Sequence, residues 1–385
     1  MATEYVFSDL FELQMGKTPS RSESSYWQDG NNPWISIADF PANSKYITST
    51  KESISDYAVN KSGIKLIPKN TVIMSFKLSI GKVAITPEAM YSNEAIMAFI
   101  DKKKKEILPD YLFYLLKQKK WNEATNKAAM GRTLNKATLS TIRLKLHSSE
   151  QQRKIVQIFD NIYSLLGSYR KQLRKLDDLA KARFVEMFGD ECETVLLSEV
   201  AEVTGGLTKN SKRNQFPIKL PYLRVANVFY NSIDTSEMLE IGLTTGERDK
   251  TLLQYGDLLF VEGNGSPEQI GRVAVWRDNV VPCVHQNHLI KARFVGDKVL
   301  PEFAMYYFMT PKGREQIKRK AVSTSGLYTL SVSKVAGFTL PQPLFNQQKA
   351  FAAFAAQIDK SKEAVQQALD KTQQLFDSLM QQYFA

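Results

Sequence analysis

Apolar residues recur at alternating spacings of four and three along two stretches of the chain. The first opens with Glu150-Gln151-Gln152-Arg153-Lys154 and runs through Ile155, Phe159, Ile162, Leu166, Tyr169, Leu173, Leu176 and Ala180, the pattern of a helix with one heptad seam. The second opens with Asn346-Gln347-Gln348-Lys349 and runs through Phe351, Ala355, Ile358, Lys362, Val365, Leu369, Thr372 and Phe376, each 196 positions after its counterpart. The spacing predicts long helices within 149–190 and 345–385. At about 39 residues, each extends roughly 58 Å. Two such seams are buried most directly against each other, as an antiparallel coiled coil with a globule at each end. Packing of each helix on its own globule is the plainer alternative.

The segments before the helices, 1–148 and 191–344, repeat each other as well. Ser8-Asp9-Leu10 with Gly16 matches Ser198-Glu199-Val200 with Gly206, and Pro33-Trp34-Ile35 matches Pro221-Tyr222-Leu223. Each reads as a short amphipathic segment, a glycine turn and a strand. Val72–Ser75 and Ile80–Ile85 match Leu258–Val261 and Ile270–Val275, a strand pair with a longer loop in the second copy. Leu108-Pro109-Asp110-Tyr111 and Leu300-Pro301-Glu302-Phe303 start aromatic-rich helices, with proline in the first turn. The whole is a duplicated, mixed α/β architecture.

Charge narrows the function. Fifty-one Lys and Arg against forty Asp and Glu give a net +11, and residues 102–154 hold fourteen basic groups against four acids. A basic chain with no apolar run of membrane-spanning length points to a polyanion partner in the cytoplasm, with no membrane. Only two cysteines, Cys192 and Cys283, are present, which excludes a disulfide framework and predicts reduced thiols.

With its duplication, the Gly16-Lys17-Thr18-Pro19 turn, the Gly131-Arg132-Thr133-Leu134 stretch and the Glu150–Val156 helix start, the chain resembles the specificity subunit of type I restriction-modification enzymes. It departs from that family's usual pattern in two places: Arg143–His147 replaces the Pro-rich lead-in kept at Leu340-Pro341-Gln342-Pro343, and Gly206-Leu207-Thr208-Lys209 lacks the proline. The resemblance implies two target recognition domains, 1–148 and 191–344, joined by two long antiparallel coiled-coil helices. Each domain would read one half of a bipartite, asymmetric double-stranded DNA site. It also implies docking of two methyltransferase subunits and of translocase-nuclease subunits. S-adenosylmethionine, ATP and Mg would belong to those partners, and this chain would hold no cofactor and carry out no catalysis itself.

The residues offer little chemistry of their own. No Gly-rich cofactor turn or Asn/Asp-Pro-Pro-aromatic motif marks a methyltransferase; Asn32-Pro33-Trp34 lacks the second proline, and Gly263-Asn264-Gly265 reads as a flexible loop tip. Glu88 and Asp101 followed by four lysines mimic a nuclease site only superficially. Cys283, His285 and His288 suggest zinc, but strand alternation puts His288 on the other face. A single-chain DNA-modifying enzyme and a stand-alone DNA-binding regulator remain the alternatives.

For phosphates, the candidates are Lys117, Lys119, Lys120, Lys127, Arg132 and Lys136, with Lys312, Arg314, Lys318, Arg319 and Lys320 in the second copy. For bases they are Lys17, Ser20, Arg21, Lys77 and Ser79, then Lys209, Lys212, Arg213, Asn214, Asn264, Gln269, His285, Gln286 and Asn287. Thr133 and Asn135, and Tyr328 in the second copy, lie in segments that resemble a family loop near DNA. Gln151, Arg153, Gln172, Gln348 and Gln367, flanking the heptad seams, are expected to dock partners or simply face solvent.

Overall fold

Val72-Ile73-Met74-Ser75 has no polar alternation because it forms a strand, Val72–Ser75, covered on both faces. The computed structural model, which describes residues 3–42, 44–77, 79–119, 121, 126–128, 131–189, 193–324 and 326–384, places this strand inside an antiparallel sheet. The strand order is Phe11–Met15, Ile96–Asp101, Val72–Ser75, Val83–Ile85. The second copy repeats it as Ala201–Gly205, Leu289–Phe294, Leu258–Val261, Val273–Val275. A second sheet is also duplicated: Glu52–Ile54, Asn32–Ile35, Tyr91–Ser92 against Leu239–Leu243, Ile218–Leu223, Val284–His285, the last two strands parallel in both copies. A small two-stranded sheet ties Thr3–Val6 to Arg143–Leu146, and its twin ties Thr194–Leu196 to Thr339–Pro341.

The two glycine turns have a steric cause. A Cβ on Gly16 would lie 2.3 Å from the carbonyl oxygens of Ser92 and Asn93, and one on Gly206 would lie 2.3 Å from that of His285. Only glycine lets the turn cross that strand so closely.

The chain divides into two units, Met1–Lys171 with Gln366–Ala385, and Gln172–Val365. The long helices, Ser149–Phe188 and Phe345–Phe384, each contribute to both. In the first unit Ile155, Phe159, Ile162 and Leu166 share one core with Phe376 and Met380; Phe159 lies 5.4 Å from Phe376 and 5.7 Å from Phe384, ring to ring. In the second, Ala180, Phe184 and Phe188 share a core with Phe351, Ala355 and Ile358. Within each unit the helices run antiparallel. The two packing modes considered from the sequence therefore occur together: Phe159 meets Tyr114 of its own globule at 5.0 Å, and Phe351 meets Tyr306 at 5.1 Å. The seam is wide enough to meet both neighbours because Phe side chains, not leucines, fill its ends.

Helix starts leave backbone groups unpaired, and the repeated Gln-Gln supplies partners. Gln151 and Gln347 accept bonds from the amides of Ser148 and Leu344, capping the helices. Gln152 and Gln348 turn inward and are fully buried. Gln348 accepts the Leu300 amide at 2.9 Å and donates to the carbonyls of Lys298 and Pro343; Gln152 does the same with Leu108, Glu106 and His147. Gln348 is thus a structural clamp and not a partner-docking residue. His285 is likewise fully buried, with Nδ1 bonded to the Thr251 carbonyl at 3.0 Å. Burial, aided by the charges of Lys291 and Arg293, pushes its pKa down to about 3.

Two outcomes follow for stability. Gln348→Ala strands three part-buried backbone groups and should cost about 1–3 kcal/mol, whereas Gln347→Ala removes an exposed cap and should cost about 0.5–1 kcal/mol, both read from urea midpoints. His285 stays neutral in the fold but takes up a proton near pH 6.5 when unfolded. Stability therefore drops as pH falls from about 6.5 toward 3, by about 2 kcal/mol at pH 5. His285→Gln should flatten the difference between urea midpoints at pH 7 and pH 5; an unchanged difference counts against a neutral buried imidazole.

Candidate nucleic-acid interface

Backbone hydrogen bonds draw four loops to the same end of each globule. In the first, the Lys17 amide bonds Ser92 O at 2.8 Å, the Phe76 amide bonds Ala95 O at 3.0 Å, and the Leu134 amide bonds Phe76 O at 3.1 Å. In the second, Leu207 bonds His285 O at 2.9 Å, Glu262 bonds His288 O at 2.9 Å, and Leu330 bonds Glu262 O at 2.8 Å. The glycine turn, the strand-pair loop, the loop before the long inner strand and the segment ahead of the helix entrance thus meet in both copies.

In the first globule this end gathers Lys17, Ser20, Arg21 and Lys77. The Lys17 amine reaches the Ser62 carbonyl and the Thr18 hydroxyl reaches Glu94. Burial works against the Glu94 carboxylate, but the Thr18 hydroxyl and the charges of Lys77 and Arg21 hold its pKa below the usual range. Arg21 pairs with Glu52 and stacks 3.7 Å from the Trp27 ring centroid. The Ser79 carbonyl accepts the Ser75 hydroxyl within the neighbouring loop. Asn135 caps the short helix Lys136–Ser140 by accepting the Thr138 amide at 2.7 Å, as Ser331 does for Val332–Ala336. Lys136 is exposed on that helix, and Lys119 is half-buried, which lowers its pKa. The hairpin Asn126–Ala128 and Gly131–Thr133 carries Lys127, Arg132 and Thr133. Lys120 and Cys192 lie outside the described residues.

The basic stretch of the first half does not form one surface. Strand Ile96–Asp101 leaves the loop end at Ala95 and delivers Lys102–Lys105 to its opposite end. There Lys102 bonds the Ser8 carbonyl and Lys103 pairs with Asp101. Lys117 lies beside Tyr163 of the first long helix, its amine 4.8 Å from the ring.

The second globule presents Lys209, Lys212 and Asn214, all exposed after Gly206, with half-buried Asn264, Gln269, Gln286 and Asn287. Gly263-Asn264 is a strand and not a loop tip: it pairs with Leu327–Thr329, bringing Asn264 opposite Tyr328. Four assignments are corrected by burial and bonding. His285 points into the core, away from any ligand. Arg213 is 7% exposed, pairs with Glu247 at 3.0 Å and donates to the carbonyls of Thr208 and Gly242, so it braces the loop. Arg314 clamps the 266–271 loop through the carbonyls of Ile270 and Gly271, at 2.7 and 3.2 Å. The Lys320 amine is tied to the Gly337 carbonyl. Lys318, paired with Glu268 at 2.6 Å, and exposed Arg319 remain on an open depression with Glu315. Lys312 bonds the Gly189 carbonyl.

On the helices Gln151, Arg153, Gln172 and Gln367 are exposed, with Arg153 paired to Glu106 at 2.7 Å. Sequence reasoning missed Gln152, Glu52 and Trp27; a large aromatic inside the polar run Ser20–Gln28 was the available signal for Trp27. Among the described residues no group of three His, Cys, Asp or Glu could hold a metal ion, and His288 pairs with Glu262 instead. Nor is any helix there long and apolar enough to cross a membrane.

Comparison with known proteins reaches both copies. Residues 3–176 and 189–372 match the type I restriction modification DNA specificity domain. The MjaIX specificity subunit of Methanocaldococcus jannaschii is 30% identical over 187 residues, 47% of this chain and 42% of that subunit. The HindI specificity subunit of Haemophilus influenzae is 30% identical over 186 residues, 46% of this chain and 39% of that subunit. This chain therefore spans less than half the length of either relative. The EcoKI specificity subunit of Escherichia coli is 21% identical over 412 residues, covering 98% of this chain and 87% of that one. Among solved structures, the S subunit of a type I restriction-modification system from M. genitalium superposes with a TM-score of 0.54 at 13% identity, covering 99% of this chain and 95% of that one. A chain from a structure on complex assembly and conformational transition of the type I R-M system gives 0.58 at 14%, covering 99% and 97%. At those identities the likeness is one of fold. With both copies matched by the same domain, the chain belongs to the type I restriction modification DNA specificity family.

Proposed function

We propose that this chain is the non-catalytic DNA-reading subunit of a type I restriction-modification enzyme, each globule reading one half of a bipartite, asymmetric duplex site. The observation that carries this is a conserved frame with divergent tips: the same four loops converge in both copies, but one tip holds Lys17, Arg21 and Lys77 and the other Lys209, Lys212, Asn264, Gln286 and Asn287. Two copies reading different bases require that division, because the frame positions and the side chains specify. The net charge of +11 supplies the sequence-independent attraction.

The long helices set the spacing and dock two methyltransferase subunits, with translocase-nuclease subunits joining them. Each unit leaves apolar side chains exposed there at heptad positions, Ile158 and Leu165 in the first and Leu179 in the second. Such exposure on a helix favours a partner. S-adenosylmethionine, ATP and Mg act in those partner subunits, and the cytoplasm is the compartment this role requires.

The test is co-expression with the methyltransferase of the same system, followed by mapping of methylated sites. A split, asymmetric motif that disappears without this chain supports the reading; methyl transfer by this chain alone would overturn it. Replacing Lys77 or Lys209 by Ala should weaken DNA binding and reduce the slope of log affinity against log salt by about one each if they touch phosphate, read by fluorescence anisotropy between 50 and 200 mM salt. Leu165→Glu together with Leu179→Glu should abolish co-purification of the methyltransferase.

A further inference from the structure

Both globules place an arginine in the loop after the glycine turn, but the two arginines live differently. Arg213 is buried and spends its guanidinium on Glu247 and two backbone carbonyls. Among the described residues Arg21 bonds no backbone carbonyl; its side chain is 53% exposed, and Glu52 takes both terminal nitrogens, Nη2 at 2.9 Å. The flat face lies on Trp27. Trp27 is itself fixed, its indole N–H donating to the Ser20 carbonyl at 3.0 Å and its ring standing edge-on to Trp34 at 5.0 Å; the Trp34 N–H holds the Lys17 carbonyl at 3.2 Å. Two tryptophans and a carboxylate therefore hold one exposed guanidinium at the loop end, beside the turn whose Thr18 hydroxyl reaches Glu94.

An exposed ion pair adds little to stability, so this arrangement is not explained by what it gives the fold. It does preorganise a planar donor. Glu52 occupies two of the five guanidinium N–H bonds, and the edge formed by Nε and the remaining Nη hydrogens stays available. We propose that Arg21, oriented by Glu52 and Trp27, reads a guanine in the half-site bound by the first globule, through the O6 and N7 acceptors of its major-groove edge. A guanidinium edge matches that acceptor pair, whereas a lysine meets it without the fork. The loop arginine of the second globule, Arg213, is buried against Glu247 and leaves no such edge, so the guanine read by Arg21 belongs to the half-site of the first globule.

This rests on the DNA-reading function proposed above. The experiment is selection from a randomised duplex library by the full chain with its methyltransferase partner, comparing wild type with Arg21→Gln, Arg21→Lys and Glu52→Gln, each checked for an unchanged thermal midpoint. The expected result is a guanine in the wild-type motif whose preference falls at least tenfold, about 1.4 kcal/mol, in both Arg21 variants, with the other half-site unaltered. Glu52→Gln should weaken the same position only. Uniform loss of affinity for all sequences in Arg21→Gln, restored in Arg21→Lys, identifies a phosphate contact and overturns the proposal, as does an unaltered motif. If wild type enriches no sequence at all, the DNA-reading function itself fails, a different result from either.

Discussion

Each globule depends on apolar burial shared between two helix ends that lie far apart in the sequence. Phe159 and its neighbours cover one side of the first core, but Phe376 and Met380 close it; Phe351 begins the cover of the second, and Phe184 with Phe188 completes it. A large buried aromatic contributes a few kcal/mol, a sizeable share of the stability of any domain. Neither globule's core is therefore closed without both long helices. The glutamines at 152 and 348 make the same point in hydrogen bonds, since each locks a helix start to the loop that begins its globule's aromatic helix.

The parts of this design that were legible in the sequence are those that repeat locally. Heptad spacing announces the long helices, and the order of strand and turn signals announces two copies of one mixed fold. The convergence of loops was not legible, because bonds such as Leu134 to Phe76 and Leu330 to Glu262 join residues far apart in the chain. Burial of individual polar groups was equally hidden. Arg213 looks like any loop cation until Glu247 is folded against it, and Gln348 looks solvated until the orphaned carbonyls of Lys298 and Pro343 are placed beside it. His285 occupies the register position of Ser92, pairing with Leu223 as Ser92 pairs with Ile35; strand alternation gives its face but not the depth of that face.

Duplication also divides the chain's polar residues into two economies. Residues at equivalent places that do the same job, such as Gly16 with Gly206 and Asn135 with Ser331, maintain the frame. Residues of corresponding loops that do different jobs, such as Arg21 and Arg213, mark where the copies were free to diverge. Function is best sought in the second group.

The first unit is discontinuous, made of Met1–Lys171 and Gln366–Ala385, while the second is one uninterrupted stretch. A ribosome delivers the chain in order, so the first globule emerges before the residues that close its core have been made. The second unit holds all its helix segments once Val365 has emerged and can complete its own core first. Synthesis order and maturation order are thus reversed: the globule made first must wait, partly uncovered, for Phe376 and Met380 to arrive, and that interval is when it is most exposed to aggregation.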